Sequence, residues 1–126
     1  MIHLDTSALV DALTGRRRSE PALRRLIADG ERVAISTLAL YEWLRGPRTE
    51  EEIEFQEALL PAAAAVPFGP EEAMVAAAAY RSLRARRGRA VDIAIGACAV
   101  TRQARLWTLN PGDVADIRDL ELFAPA

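Results

Sequence analysis

The sequence predicts an α/β fold, a three-layer α/β/α sandwich built on a parallel central sheet. Two patterns point there: short, nearly continuous apolar runs that read as strands buried on both faces, and capped amphipathic segments between them that read as crossover helices. Size agrees, since 126 residues, 51% of them hydrophobic, suit a single domain spanning residues 1–126 with a real core.

Each element has its own local reason. Met1 to Asp5 is an apolar run ending on an acid, and Thr6-Ser7 then offers caps for a helix through Leu13. Gly15 and Arg16 to Arg18 make a loop, after which Pro21 to Ala28 carries apolar residues at helical spacing until Gly30 ends it. Arg32 to Ile35 reads as a second strand. Ser36 and Thr37 cap a helix over Leu38 to Leu44 that Gly46-Pro47 closes, and Thr49 with Glu52 has capping-box spacing for another reaching about Leu60. Ala64 to Phe68 is the next strand candidate, with a blurred start because alanines precede it. Gly69-Pro70-Glu71-Glu72 opens a long helix with proline and acids at its N-terminus, Arg81 to Arg87 near its end and Gly88 as its stop. Val91 to Arg102 is a further helix, Arg105 to Leu109 a strand, Asn110-Pro111-Gly112 a turn, and Leu120 to Phe123 a last strand.

Composition excludes several chemistries. No apolar stretch approaches the roughly 20 residues of a membrane span, so no membrane association is expected. A lone thiol, Cys98, forms neither an internal disulfide nor a cysteine-rich metal site, which favours a reducing cytoplasm. Lysine is absent: every basic side chain other than His3 is arginine. Mechanisms that depend on a catalytic or phosphate-binding lysine are therefore closed, while arginine forks suit phosphate. The net charge of -2 hides clusters, acidic from Glu50 to Glu57 and basic at Arg16, Arg17 and Arg18 and from Arg81 to Arg89.

Four acids stand out by position. Ligands of an open parallel sheet sit beyond the carboxyl ends of its strands, so residues there share one rim. Asp5 ends the first strand, Asp113 follows the strand at 105–109 across a turn, and Glu42 lies about one turn into the helix after the second strand. Asp92 opens a helix with no clear strand before it, so pattern alone supports it least. Each has a plainer reading: Asp5, Asp92 and Asp113 as caps or turn residues, Glu42 as a partner of Arg45. Together they pose a problem, because two unit charges about 4 Å apart repel by roughly 4 kcal/mol at an effective dielectric near 20. A cation answers it, and oxygen donors without histidine or cysteine select Mg²⁺, with Mn²⁺ possible, over zinc. His3 falls inside the first strand, where a structural role is expected, and one histidine cannot form a paired-histidine ribonuclease site.

These residues lie in segments that resemble the PIN-domain nucleases, and among them the VapC-type toxins of bacterial toxin–antitoxin pairs. Ile2-His3-Leu4-Asp5-Thr6-Ser7-Ala8-Leu9-Val10 resembles the first motif of that family, with Asp5 as an acid and Ser7 as the nearby hydroxyl. Ser36 to Glu42 resembles the second and Asp92-Ile93-Ala94-Ile95-Gly96-Ala97 the third, which supports Asp92. Leu106 to Val114 resembles the last, with Thr108, Asn110 and Asp113. Many relatives carry aspartate at the place of Asn110 and an aromatic at that of Val114. The first departure leaves Asn110 a neutral ligand or water-orienting group, and the second touches packing.

The resemblance implies a Mg²⁺- or Mn²⁺-dependent endoribonuclease, a homodimer, and a cognate antitoxin whose tail fills the groove beside the acids. The expected chemistry is hydrolysis of RNA by a water that the cation activates. Asp5, Asp92 and Asp113 would hold the ion, Glu42 would orient the water or share the cation, and Ser7, Thr108 and Asn110 would support them. Arg16, Arg17, Arg18, Arg86, Arg87 and Arg89 are candidates to guide the RNA backbone. Two rivals are weaker. An aspartyl-phosphate enzyme wants a lysine, and its phosphatase form wants a second aspartate where Ser7 stands. An RNA- or protein-binding module without catalysis gains nothing from concentrated negative charge.

Overall fold

A computed structural model describes residues 1–126. Its order is β1 (Ile2–Leu4), α1 (Thr6–Leu13), α2 (Glu20–Ala28), β2 (Val33–Ile35), α3 (Thr37–Arg45), α4 (Glu50–Leu59), α5 (Pro70–Ser82), α6 (Ala90–Thr101), β3 (Arg105–Trp107) and β4 (Glu121–Phe123). The strands form one sheet in the order β2-β1-β3-β4, and every pairing is parallel. All three residues of β1 are buried, as expected for a central strand covered on both faces in a three-layer α/β/α sandwich. Trp43, Trp107, Ile2, Leu4, Leu9 and Leu13 are the bulkiest members of the core.

Register positions the residues just beyond the strands. Leu4 stands opposite both Ile35 and Trp107, so the carboxyl ends of β1, β2 and β3 finish level and Asp5, Ser36 and Thr108 are the next residues out. The chain runs from β1 to β2 on one side, then crosses back to β3 on the other. A crevice opens at such a reversal, between the ends of β1 and β3. The Asp5 amide donates to the Trp107 carbonyl at 3.0 Å and closes the floor of that crevice.

Several local expectations hold in detail. Ser36 caps α3 by accepting from the Ala39 amide at 3.1 Å, and Thr49 and Glu52 complete both halves of the capping box on α4. Three expectations need correction. The cap of α1 is Asp5, whose Oδ1 accepts from the Ala8 amide at 3.0 Å, whereas Thr6 and Ser7 lie inside the helix.

The segment 64–68 is not a sheet strand. Ala62–Ala64 closes a 3₁₀ turn, and only Val66 bridges to Ser36, because α3 begins at Thr37 and the Phe68 amide, next in register, donates to Thr37 Oγ1 at 3.1 Å rather than to a strand carbonyl. Helix α5 ends at Ser82 rather than near Arg87. The Arg86 guanidinium folds back to donate to the carbonyls of Tyr80 (3.3 Å) and Arg81 (3.1 Å), and so satisfies the helix end. Arg84 to Arg87 consequently occupy a loop, and Gly88, at φ +75°, turns that loop into α6 rather than ending α5.

Candidate functional site

The crevice at the strand ends is a cleft of about 610 Å³, and Asp5, Glu42, Asp92 and Asp113 all line it, together with Ser7, Thr108, Asn110, Arg16 and Arg18. Four elements deliver the acids: the end of β1, the middle of α3, the first turn of α6 and the 3₁₀ turn Pro111–Asp113 after β3.

Asp5 does two jobs. Its Oδ1 accepts from the Ala8 amide and, at 2.6 Å, from Ser7 Oγ, so its protein hydrogen bonds converge on one oxygen and leave Oδ2 for the cleft. Ser7 Oγ in turn accepts from the Leu109 amide at 3.0 Å and lies 3.4 Å from Thr108 Oγ1, which accepts from the Asn110 amide at 3.0 Å. The two hydroxyls thus tie the end of β1 to the loop after β3. Asn110 is exposed at the rim.

Glu42 is held from both sides. Thr6 Oγ1 donates to its Oε1 at 2.5 Å, and Arg45 approaches its Oε2 at 3.5 Å. The pairing with Arg45 that would have explained Glu42 on its own does exist, yet it is long, and the carboxylate still faces the other acids.

Electrostatics records the crowding. The Asp92 carboxyl is held above the usual aspartate range, first by desolvation and then by the charges of Asp113, Glu42 and Asp5, with Arg89 acting in the opposite direction. Asp92 also sits at the third position of α6, where the helix dipole favours an anion.

The donor set fits a hard cation in kind: carboxylates and hydroxyls, with no histidine or thiol in the cleft. No three acidic, histidine or cysteine side chains converge as ready direct ligands of one ion. Magnesium accommodates such spacing, because it keeps several waters and takes only one or two carboxylates directly.

The basic candidates separate. Arg16 and Arg18 stand at the cleft, and Arg18 lies 3.9 Å from Asp11, a fifth carboxylate there. Arg17 turns away to lie over the Phe55 ring at 4.7 Å, with Glu51 at 3.9 Å. Arg86 is occupied with the end of α5, and Arg87 is exposed in the loop. Arg89 is tied to Asp116 and to the Asp113 carbonyl.

Sequence reasoning missed Thr6, Asp11 and Asp116. For Thr6 the signal was adjacency to Asp5. Asp11 has helical spacing from Ser7. Nothing marks Asp116, which meets a partner 27 positions away.

Comparison with known proteins gives the same outline. The family model described as PIN domain matches residues 2–117. No curated protein sequence matches the chain. Among solved structures, VapBC2 from Rickettsia felis bound to a promoter DNA fragment is similar at 20% identity and TM-score 0.74, covering 98% of each chain. The DNA-bound VapBC of Salmonella typhimurium gives 19% identity and TM-score 0.75, covering 97% of this chain and 96% of that one. FitAcB from Neisseria gonorrhoeae gives 23% and 0.71, covering 99% and 98%. At these identities the likeness establishes the fold.

Proposed function

The chain belongs to the PIN-domain family, and on that premise we propose that it is a Mg²⁺- or Mn²⁺-dependent endoribonuclease acting as the toxin of a toxin–antitoxin pair. The observation that carries the nuclease reading is the set of four carboxylates gathered from four separate elements into one cleft, crowded enough that the other three acids help to hold Asp92 above the usual aspartate range. Folding alone has no use for that arrangement, which costs repulsion. The toxin role is supported by the similarity to VapBC and FitAcB structures.

In this reading Asp5 Oδ2, Asp92 and Asp113 would hold the cation, in part through its waters. When bound, the ion lowers the pKa of water and neutralises charge on the phosphate oxygens. Glu42, fixed at Oε1 by Thr6 and approached at Oε2 by Arg45, would orient the attacking water and receive its proton. The water oxygen bonds to phosphorus, the bond to the 3′ oxygen breaks, and that oxygen takes up a proton, leaving a 3′-hydroxyl and a 5′-phosphate. Ser7 and Thr108 keep the walls of the cleft in place. Arg16 and Arg18 at the same cleft are suited to draw in the RNA backbone. The antitoxin partner and a homodimer belong to the same proposal.

The deciding experiment incubates the pure protein with structured and unstructured RNAs in Mg²⁺, in Mn²⁺ and in chelator, alongside Asp92→Asn. Cation-dependent cleavage that Asp92→Asn abolishes is expected. Cleavage that persists in chelator removes the cation from the mechanism. RNA binding without any cleavage favours the non-catalytic module.

A further inference from the structure

Arg89 is the most densely engaged arginine of the chain, and it lies just outside the cleft. It precedes α6 by one residue, three before Asp92. Its side chain is only 15% exposed. Nε and Nη2 donate to the Asp113 carbonyl at 3.0 and 2.7 Å, Nη1 donates to Asp116 Oδ2 at 3.1 Å and to the Ala85 carbonyl at 2.8 Å, and Nη2 also reaches Asp116 Oδ1. One planar fork therefore clamps three segments: the loop before α6, the start of α6, and the turn that carries Asp113.

We propose that Arg89 is a positioning residue that sets the separation of Asp92 and Asp113 by pinning the Asp113 turn to the N-terminus of α6. Its expected place among RNA-guiding arginines gives way to this role, since its donors are consumed by Asp113, Asp116 and Ala85. The two carboxylates ride on elements with no strand pairing between them. Asp113 is in an exposed three-residue 3₁₀ turn. A turn of that length has little rigidity of its own, so a clamp bonded to the Asp113 backbone fixes where its side chain starts. Asp116, paired to the same guanidinium, holds the clamp in orientation and is held below the usual aspartate range by it. Lysine, a point charge, cannot make this set of bonds together. Arginine at this position thus has a geometric reason beyond the arginine bias of the chain.

This inference rests on the proposed cation site. Loss of an outer-sphere partner weakens metal binding or activity by about 10–100-fold. The test compares wild type with Arg89→Gln, Arg89→Lys and Asp116→Asn, reading Mn²⁺ affinity by titration with electron paramagnetic resonance, RNA cleavage as separate kcat and KM, and Tm by circular dichroism. Arg89→Gln and Arg89→Lys are each expected to weaken Mn²⁺ binding by about tenfold or more and to lower kcat, with KM for RNA within about twofold of wild type. Asp116→Asn moves both quantities in the same direction by less, and serves in place of Arg89→Gln should that variant fail to fold. Three results overturn the proposal: Mn²⁺ affinity unchanged in folded variants, full rescue by lysine, or a raised KM with kcat and Mn²⁺ affinity intact, which marks a direct RNA contact. Wild type that neither binds Mn²⁺ nor cleaves RNA refutes the cation site itself, a distinct outcome.

Discussion

Substituting Asp5 by alanine removes two things at once, and the structure separates them. One is a cleft carboxylate; the other is the N-cap of α1, through Oδ1 to the Ala8 amide at 3.0 Å and to Ser7 Oγ at 2.6 Å. Loss of an N-cap side chain costs about 1 kcal/mol, within a range of 0.5–2. Ser7 Oγ keeps the Leu109 amide as a donor to it but loses its acceptor, which adds up to about 1 kcal/mol. Relief of repulsion among the acids offsets part of this. At an unfolding entropy near 2.1 cal/mol/K per residue, 1 kcal/mol corresponds to about 4 °C in a chain of this size. Asp5→Ala is therefore expected to lower Tm by roughly 4–6 °C in chelator.

Asparagine caps as well as aspartate and keeps an oxygen where Oδ1 lies, so Asp5→Asn is expected within about 1–2 °C of wild type or above it. Both variants should lose cleavage by at least about 100-fold, since both lack the charge. The assay is thermal denaturation by circular dichroism beside RNA cleavage on the same samples. The reasoning fails if asparagine destabilises as much as alanine, which would mean that charge rather than capping holds α1. It fails equally if Asp5→Asn retains wild-type cleavage.

The same geometry sets the outcome of other substitutions. Asp92→Asn should match or exceed wild-type Tm in chelator, because neutralising a crowded carboxylate gives about as much as the helix dipole loses, and should gain far less from saturating Mg²⁺; an equal gain in both proteins would remove Asp92 from the ion. Arg16→Gln together with Arg18→Gln should raise KM and reduce the salt slope of RNA binding by about 0.7 per lost phosphate contact, while Arg17→Gln, whose native partner is Phe55, should leave that slope alone. His3, the only histidine, is buried with Nδ1 unpartnered and its pKa lowered to about 4, by burial first and then by Arg102 and the N-terminal amine. Between about 4 and 6.5 the unfolded chain binds the proton that the folded chain refuses. Stability should fall as pH drops through that window, by roughly 3 kcal/mol over the whole of it. Proton NMR of the single imidazole checks this directly, and titration near 6.5 would refute it.

Much of this molecule is written in interactions between neighbours in the chain. Caps act across three residues, so Ser36, and Thr49 with Glu52, announce their helices by spacing alone. A buried parallel strand requires apolar residues on both faces, so β1 is legible as a run. Strand ends then place Asp5 and the residues after Trp107 on one rim, and Glu42 is conspicuous as a charge between aromatics. What the sequence left open depends on partners distant along the chain. Whether 64–68 becomes a strand turns on what its amides meet at the sheet edge, and the Phe68 amide meets the Thr37 hydroxyl at the start of α3.

Where α5 stops depends on a guanidinium folding back from Arg86, because an orphan carbonyl accepts any donor that reaches it. Arg17 and Arg18 are neighbours with the same chemistry, yet one lies over Phe55 and the other lines the cleft. Asp92 and Asp113 are identifiable as acids from the sequence, but their meeting, and the Arg89 clamp between their segments, arises only when α6 packs beside β3. Local rules select which residues are available and which elements they sit on; the packing of distant segments decides which of them face one another.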